Sequence, residues 1–175
     1  MQDIYIDNNF LNKNNINSLV DYVTTTNDWI VTNDHWSEKF IHKSNISNKD
    51  IQQLLDDIGL NVRQIIETKY KTKCLIETFQ LVRWRKGDKL DPPHADCEHL
   101  DGSLHPYPNR HYSVLIYLNE DYEGGQIFFP NQNLQPETTP GTLVQFEGTK
   151  EYLHGVTEVK SGERYTIVLF LTKNA

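Results

Sequence analysis

Apolar residues recur at intervals of three and four over one long segment in the first half of the chain. This spacing places them on one face of an amphipathic α-helix. Ser47 and Asp50 resemble a capping box in which Asp replaces the usual Glu, so we expect the helix to begin there. A shorter helix is predicted over residues 17–26. The apolar positions of the long helix are Ile51, Leu54, Leu55, Ile58, Val62, Ile65 and Ile66.

From Cys74 onward the pattern changes to β-branched and aromatic runs separated by turn residues. Gly87, the pair Gly124-Gly125 and Pro140-Gly141 are typical breaks between strands. Helices followed by a series of strands predict an α+β fold, and the strands are compatible with a jelly roll. A length of 175 residues fits one domain, 1–175, in which residues 1–72 form a helical N-terminal support and residues 73–175 the β core.

Composition excludes some classes of function. The net charge of −7 argues against non-specific binding to nucleic acid. No apolar run approaches the ~20 residues that a membrane span needs, and the chain does not open like a signal peptide. Two cysteines, Cys74 and Cys97, fit a reducing compartment. We therefore expect a cytoplasmic protein with no membrane partner, and the composition does not predict its oligomeric state.

A candidate metal site is the most specific chemical feature. In an extended segment His94 and Asp96 point to the same side, and His154 can reach the same ion from another strand. Two histidines and one carboxylate are the facial triad of non-haem Fe(II) oxygenases, which leaves adjacent coordination positions open. Arg164 follows on the next predicted strand and could clamp a carboxylate in bidentate fashion. The competing ligands are His99, His105 and His111.

Four ordered motifs surround these residues: YSVLIYLNEDYEGGQIFFP (112–130), PGTLVQF (140–146), LHGVTEV (153–159) and GERYTIVLF (162–170). Together they resemble the 2-oxoglutarate/Fe(II)-dependent dioxygenases, and most closely the prolyl 4-hydroxylase branch. The resemblance covers residues 80–171, and residues 4–11 show a weaker similarity to the segment that opens many of these enzymes. It implies a double-stranded β-helix, with the N-terminal helices packed on the sheet and the metal in its open mouth. Residues 98–109 are then expected to form an active-site flap.

The resemblance also assigns roles around the cosubstrate. His94, Asp96 and His154 become the ligands of Fe(II). Arg164 matches the family position that pairs with the 5-carboxylate of 2-oxoglutarate. Tyr117 matches a tyrosine that hydrogen-bonds the same carboxylate, and Thr166, which shares its parity with Arg164, could add a hydroxyl.

On the substrate side, Arg110 matches an arginine that touches the peptide in prolyl hydroxylases. Phe170 matches an aromatic residue beside the substrate ring, and Trp84, grouped with these two, stands where related enzymes often carry a tyrosine. Thr172 occupies a position where collagen-type enzymes can use a histidine, which weakens the transfer of their substrate preference.

The function expected from the resemblance is hydroxylation of a prolyl residue in a peptide or protein. It would use Fe(II), 2-oxoglutarate and O₂, with ascorbate as reductant. One alternative is a hydroxylase of a free amino acid or another small molecule. The other is a non-catalytic metal-binding module of the cupin type, against which Arg164 argues because such a module needs no carboxylate clamp.

Overall fold

The computed structural model describes residues 4–174, so the outermost positions of the predicted domain lie outside the described residues. In the first part of the chain, β1 (Tyr5–Asp7) precedes α1 (Lys13–Thr25), and β2 (Phe40–His42) precedes α2 (Lys49–Tyr70). The prediction of two helices is confirmed. The helical support predicted for residues 1–72 also contributes strands, because β1 and β2 both join the main sheet.

The helix starts differ from the predicted ones for a local reason. The cap of α2 is Asn48, whose side chain accepts hydrogen bonds from the backbone N–H groups of Asp50 and Ile51, so the predicted capping box at Ser47 is wrong by one residue. Asn12 caps α1 in the same way, so that helix begins four residues earlier than predicted. The end of α2 is fixed by Lys71, whose left-handed backbone stops the helix.

Nine further strands complete the structure within residues 4–174. They are β3 (Cys74–Arg85), β4 (Leu90–His94), β5 (Tyr112–Tyr117), β6 (Glu123–Gly124), β7 (Ile127–Phe128), β8 (Leu143–Glu147), β9 (His154–Val156), β10 (Val159–Ser161) and β11 (Glu163–Lys173).

All the strand pairs are antiparallel. The main sheet has six strands in the order β1-β8-β5-β11-β3-β2, so its two edge strands both come from the N-terminal part of the chain. A three-stranded sheet has the order β4-β9-β7, and β10 pairs with β6. A cavity lined by strands of both larger sheets separates them. This arrangement confirms the predicted α+β class and leaves a space between sheets for a site.

One face of the main sheet packs against the helices, and the other face lines the cavity. On β11, Ile167, Leu169 and Leu171 are buried in a core that also contains the apolar face of α2. Side chains of alternate residues on the same strand point to the opposite face and line the cavity. Helix packing therefore covers one face of the sheet and leaves the other to the site. No helix within residues 4–174 is long and apolar enough to cross a membrane.

Candidate active site

The three predicted metal ligands lie together at the rim of the cavity. His94 ends β4 and is the cross-strand partner of His154 on β9. Asp96 lies just beyond β4, in a bend held by the hydrogen bond from its backbone N–H to the carbonyl of Gly148 at 2.8 Å. Its carboxylate oxygens are 3.4 Å from Nε2 of His94 and 3.5 Å from Nε2 of His154. The three ligand atoms all lie within 4.8 Å of one another.

The electrostatics of the cluster favour the ligand forms of its side chains. Burial of Asp96 favours its protonated form, but attraction by His154 and hydrogen bonding with His94 and Ser113 outweigh it and lower the pKa of Asp96 to about 2. Burial lowers the pKa of His154, so its imidazole is neutral near pH 7. Nδ1 of His154 is 3.1 Å from the carbonyl oxygen of Tyr152. When Nδ1 carries the proton and donates to that oxygen, the lone pair of Nε2 is available to coordinate a metal.

The competing histidines are placed elsewhere. His99 and His105 contact each other in the segment 98–109, with ring centroids 4.6 Å apart and ring planes tilted by 58°. Nδ1 of His111 accepts the backbone N–H of Lys173. Within residues 4–174, the triad of His94, Asp96 and His154 is the group whose ligand atoms converge. Two nitrogens and one carboxylate from one side are the donor set that suits Fe(II) with open positions.

The cavity beside the triad has a volume of about 740 Å³. Its wall on the main sheet is built by alternate residues of β11, which run in the order Arg164, Thr166, Val168 and Phe170. Antiparallel pairing puts Trp84 opposite Arg164, Tyr117 opposite Thr166, and Ser113 opposite Phe170. The cavity therefore has a cationic end at Arg164 and an aromatic end at Phe170, and the triad lines it as well.

At the cationic end, Arg164 is 1% exposed. Its Nη2 donates to the hydroxyl of Tyr117 at 3.2 Å, and the rings of Tyr117 and Trp84 flank its guanidinium at 4.9 and 5.4 Å. No ion pair formed within residues 4–174 includes Arg164. Its Nε and the hydroxyl of Thr166 are both buried without a hydrogen-bond partner. A buried cation beside unpaired polar atoms is the environment that fits a bound carboxylate.

Three residues near the site were missed by sequence reasoning. The Ser113 hydroxyl donates to Oδ2 of Asp96 at 2.5 Å and so orients that ligand. Tyr122 is hydrogen-bonded with Arg164. A Cβ on Gly125, which has φ +65°, would lie 2.9 Å from Cδ of Arg164, so glycine makes room for the arginine. The pair Gly124-Gly125 was interpreted only as a turn, because nothing in the local sequence indicates what lies above it.

At the aromatic end, Arg110 stacks between two rings. Its guanidinium carbon is 3.7 Å from the centroid of Tyr107 and 4.0 Å from that of Phe170. Its Nε is buried without a partner, and burial lowers the pKa of Arg110. Arg110 lies in the loop before β5, and Phe170 on β11 is in contact with it. Trp84, grouped with the substrate contacts in the prediction, lies instead at the Arg164 end.

A facial triad and a buried arginine in one cavity are the arrangement expected of a non-haem Fe(II) oxygenase with a carboxylate cosubstrate. The family model of the 2OG-Fe(II) oxygenase superfamily matches residues 79–172, more than half of the chain, and the chain belongs to this superfamily. Membership and the donor set together assign Fe(II) as the metal, with 2-oxoglutarate and O₂ as cosubstrates. The superfamily predicted from the four motifs is confirmed.

Among curated relatives, the chain is similar to prolyl 3-hydroxylase 2 of Gallus gallus, with 33% identity over 142 residues that cover 69% of this chain and 20% of that protein. It is also similar to a PKHD-type hydroxylase of Prochlorococcus marinus, with 28% identity over 63% of this chain and 52% of that protein. The chain thus spans about a fifth of the length of the prolyl 3-hydroxylase.

Solved structures with the same architecture include a viral collagen prolyl hydroxylase from Paramecium Bursaria Chlorella virus-1 in its 2OG complex. The TM-score is 0.75 at 19% identity, covering 98% of this chain and 96% of that one. A Pseudomonas putida prolyl-4-hydroxylase gives a TM-score of 0.71 at 15% identity, covering 98% and 93%. These similarities confirm the predicted double-stranded β-helix.

Proposed function

We propose that this chain is a 2-oxoglutarate- and Fe(II)-dependent hydroxylase that acts on a prolyl residue of a peptide or protein. The observation that carries the oxygenase part is a buried Arg164 that has no anionic partner within residues 4–174 and lies in the same cavity as the triad. A metal-binding module without catalysis has no use for that arginine. The names of the relatives support a prolyl substrate, and they divide between 3- and 4-hydroxylases.

The residues of the cavity fit both Fe(II) and 2-oxoglutarate. His94, Asp96 and His154 would hold the iron from one side, and Ser113 fixes the orientation of the carboxylate ligand. When bound, Fe(II) supplies the oxidising chemistry: O₂ and 2-oxoglutarate give succinate and CO₂, and one oxygen atom enters a C–H bond of the substrate.

The protein's own part at the cationic end is to bind and orient the cosubstrate. Arg164 can pair with the carboxylate of 2-oxoglutarate that does not reach the metal, and the unpaired hydroxyl of Thr166 can donate to the same group. The Tyr117 hydroxyl and the Trp84 ring hold the guanidinium in place. Burial strengthens this pairing because water does not compete for the charge.

At the aromatic end, the protein positions the substrate. Phe170 and Tyr107 offer flat apolar faces that suit a pyrrolidine ring, and Arg110 is held between them. The buried Nε of this arginine can donate to a backbone carbonyl of a peptide. Leu115 and Val168 complete an apolar wall that excludes water near the target C–H bond.

The test is coupled turnover. The protein is incubated with Fe(II), 2-oxoglutarate and ascorbate as reductant, with and without proline-containing peptides, and succinate is measured together with a mass gain of 16 Da on the peptide. We expect succinate in the wild type and a product oxygen derived from ¹⁸O₂. Absence of succinate under all these conditions, in a folded and metal-loaded protein, would refute the oxygenase function. Hydroxylation of free amino acids alone would refute the proposal that the substrate is a prolyl residue of a peptide or protein.

A further inference from the structure

A second groove joins the active-site cavity. It has a volume of about 650 Å³ and lies between α2 and β3. His42 and Thr78 line both spaces, so the groove and the cavity adjoin at these two residues, at the edge of the sheet. We name it the α2–β3 groove and define it by six of its lining residues, which are His42, Leu55, Gly59, Leu60, Arg63 and Thr78.

One wall of the α2–β3 groove is an open edge of the main sheet. β3 pairs with β11 from Cys74 to Arg85, but β2 pairs with it only from Gln80 to Val82. Within residues 4–174, the stretch from Cys74 to Phe79 therefore has a strand neighbour on one side only. Such an edge presents backbone N–H and C=O groups to any extended chain beside it.

The backbone register shows which groups face that edge. The N–H of Arg83 donates to the carbonyl of Lys39, so the residues at every second position, Leu81 and Phe79, direct their backbone groups to the same side. At the far end, the N–H of Cys74 donates to the side chain of Glu67 on α2. The carboxylate of Glu67 thus occupies the place of a neighbouring strand at Cys74. The groove lies between this position and the end of the β2 pairing at Gln80.

The opposite wall is a helix surface with an apolar character. A Cβ on Gly59 would lie 3.1 Å from side-chain atoms of both Ile76 and Phe79, so glycine lets α2 approach the strand closely. Leu60 on the rim is 59% exposed. Four of the charges nearby are paired, Lys43 with Asp56 at 2.6 Å and Arg63 with Glu67 at 3.5 Å, while Glu77 in the lining forms no ion pair within residues 4–174. The groove therefore offers backbone groups and apolar contact together with one unpaired carboxylate.

We propose that the substrate is an extended polypeptide whose residues on one side of the oxidised residue occupy the α2–β3 groove and pair with the open edge of β3. This inference rests on the proposed function and adds its substrate class. The edge from Cys74 to Phe79 spans five residue steps at about 3.3 Å each, but Glu67 already occupies the Cys74 N–H and the register shifts at Glu77, so the edge accommodates about three substrate residues. The oxidised proline itself lies in the cavity, so its missing N–H breaks no ladder bond.

The experiment compares peptide lengths in matched variants. A proteolytic digest of a cell lysate is incubated with the holoenzyme, and peptides that gain 16 Da are identified. The best peptide is then synthesised in full and as a short form trimmed to two residues on each side of the oxidised position. Leu60→Asp places a charge in the groove. Val31→Asp is the control, because Val31 is 75% exposed, lies outside β3 and lines neither the groove nor the cavity.

We expect Leu60→Asp to raise the KM of the long peptide about tenfold, the effect of one well-placed interface residue, and to leave the short peptide unchanged. Fluorescence anisotropy of a labelled long peptide should show the same loss of affinity without turnover. Val31→Asp should match the wild type in both measurements. Uncoupled succinate formation should be the same in all three proteins.

Equal kcat/KM values for the long and short peptides, or an unchanged KM in Leu60→Asp, would overturn the groove as a substrate site. Hydroxylation confined to free amino acids would overturn it too. In each of these cases uncoupled succinate formation persists, so the oxygenase function stands. Loss of succinate formation in the wild type would instead count against the proposed function itself.

Discussion

Arg164→Ala tests the cosubstrate pocket most directly. The side chain is 1% exposed and forms no ion pair within residues 4–174, so its charge is buried at a cost that folding does not recover. A carboxylate bound beside it would recover that cost. The substitution should therefore weaken binding of 2-oxoglutarate far more than it weakens the fold.

The magnitude follows from the number and kind of hydrogen bonds lost. Removing a buried charge-assisted pair costs about 2 kcal/mol, or roughly a thirtyfold rise in Kd. At 2-oxoglutarate equal to ~100 Kd, the wild type gains about 2.7 kcal/mol of stability from the ligand, and the variant would gain only about 0.9 kcal/mol. For a domain of this size the ligand-induced rise in Tm would fall from about 5–11 °C to about 2–4 °C.

The assay is thermal unfolding of the protein loaded with Mn(II), which occupies the same kind of site, with and without 2-oxoglutarate. Arg83→Ala is the matched control, because Arg83 is also largely buried and lies over a tryptophan ring, that of Trp29, but outside the cavity. That variant should lose stability and keep the full shift. Arg164→Lys should give an intermediate shift, since it keeps the charge and loses the fork geometry.

An Arg164→Ala protein that kept the full wild-type shift would refute the argument that this residue binds the cosubstrate. A shift lost equally in Arg83→Ala would show that the assay reports general destabilisation. A KM for 2-oxoglutarate raised about tenfold or more in turnover assays should accompany the thermal result.

Three further predictions concern the metal and the substrate. His94→Ala and His154→Ala should each abolish succinate formation with the far-UV circular dichroism unchanged, because two remaining ligands hold Fe(II) poorly; near-normal turnover would refute the triad. Ser113→Ala should raise the Kd for the metal about 10–100-fold, measured by titration, because Asp96 loses the hydroxyl that orients it; an unchanged Kd would show that burial alone fixes the carboxylate. Arg110→Ala should lower hydroxylation of peptide while uncoupled succinate formation stays near wild type, and loss of both would indicate a structural role instead.

Much of the fold could be predicted because its signals are local. The seven apolar positions of α2 share one helical face, and five of them are fully buried while Leu54 and Ile65 pack against them. The helix start was missed by one residue, because Ser47 and Asn48 are both good caps and only backbone geometry chooses between them.

Edge strands were harder to predict. β1 and β2 have three residues each, too few to show a period, and their partners lie more than 35 residues away in the chain. Their stability comes from the sheet they join rather than from their own sequence.

The sequence by itself determined the chemistry of the metal site. His94, Asp96 and His154 are the residue types that bind Fe(II), and their spacing allows one ion to be reached from two strands. It also made Arg164 a candidate for binding a carboxylate, through its position on the strand after the last ligand and through the family resemblance. These assignments need residue identity and parity along a strand, and both can be read from the chain.

Only the tertiary structure decided what surrounds those residues. The contact of Ser113 with Asp96, the glycine under Arg164, and the stack of Arg110 on Phe170 all join segments that are distant in sequence. The adjacency of the α2–β3 groove to the cavity is of the same kind. Each depends on which distant strands become neighbours. The polarity pattern along one strand shows which of its faces is buried, but it does not identify the partner strand.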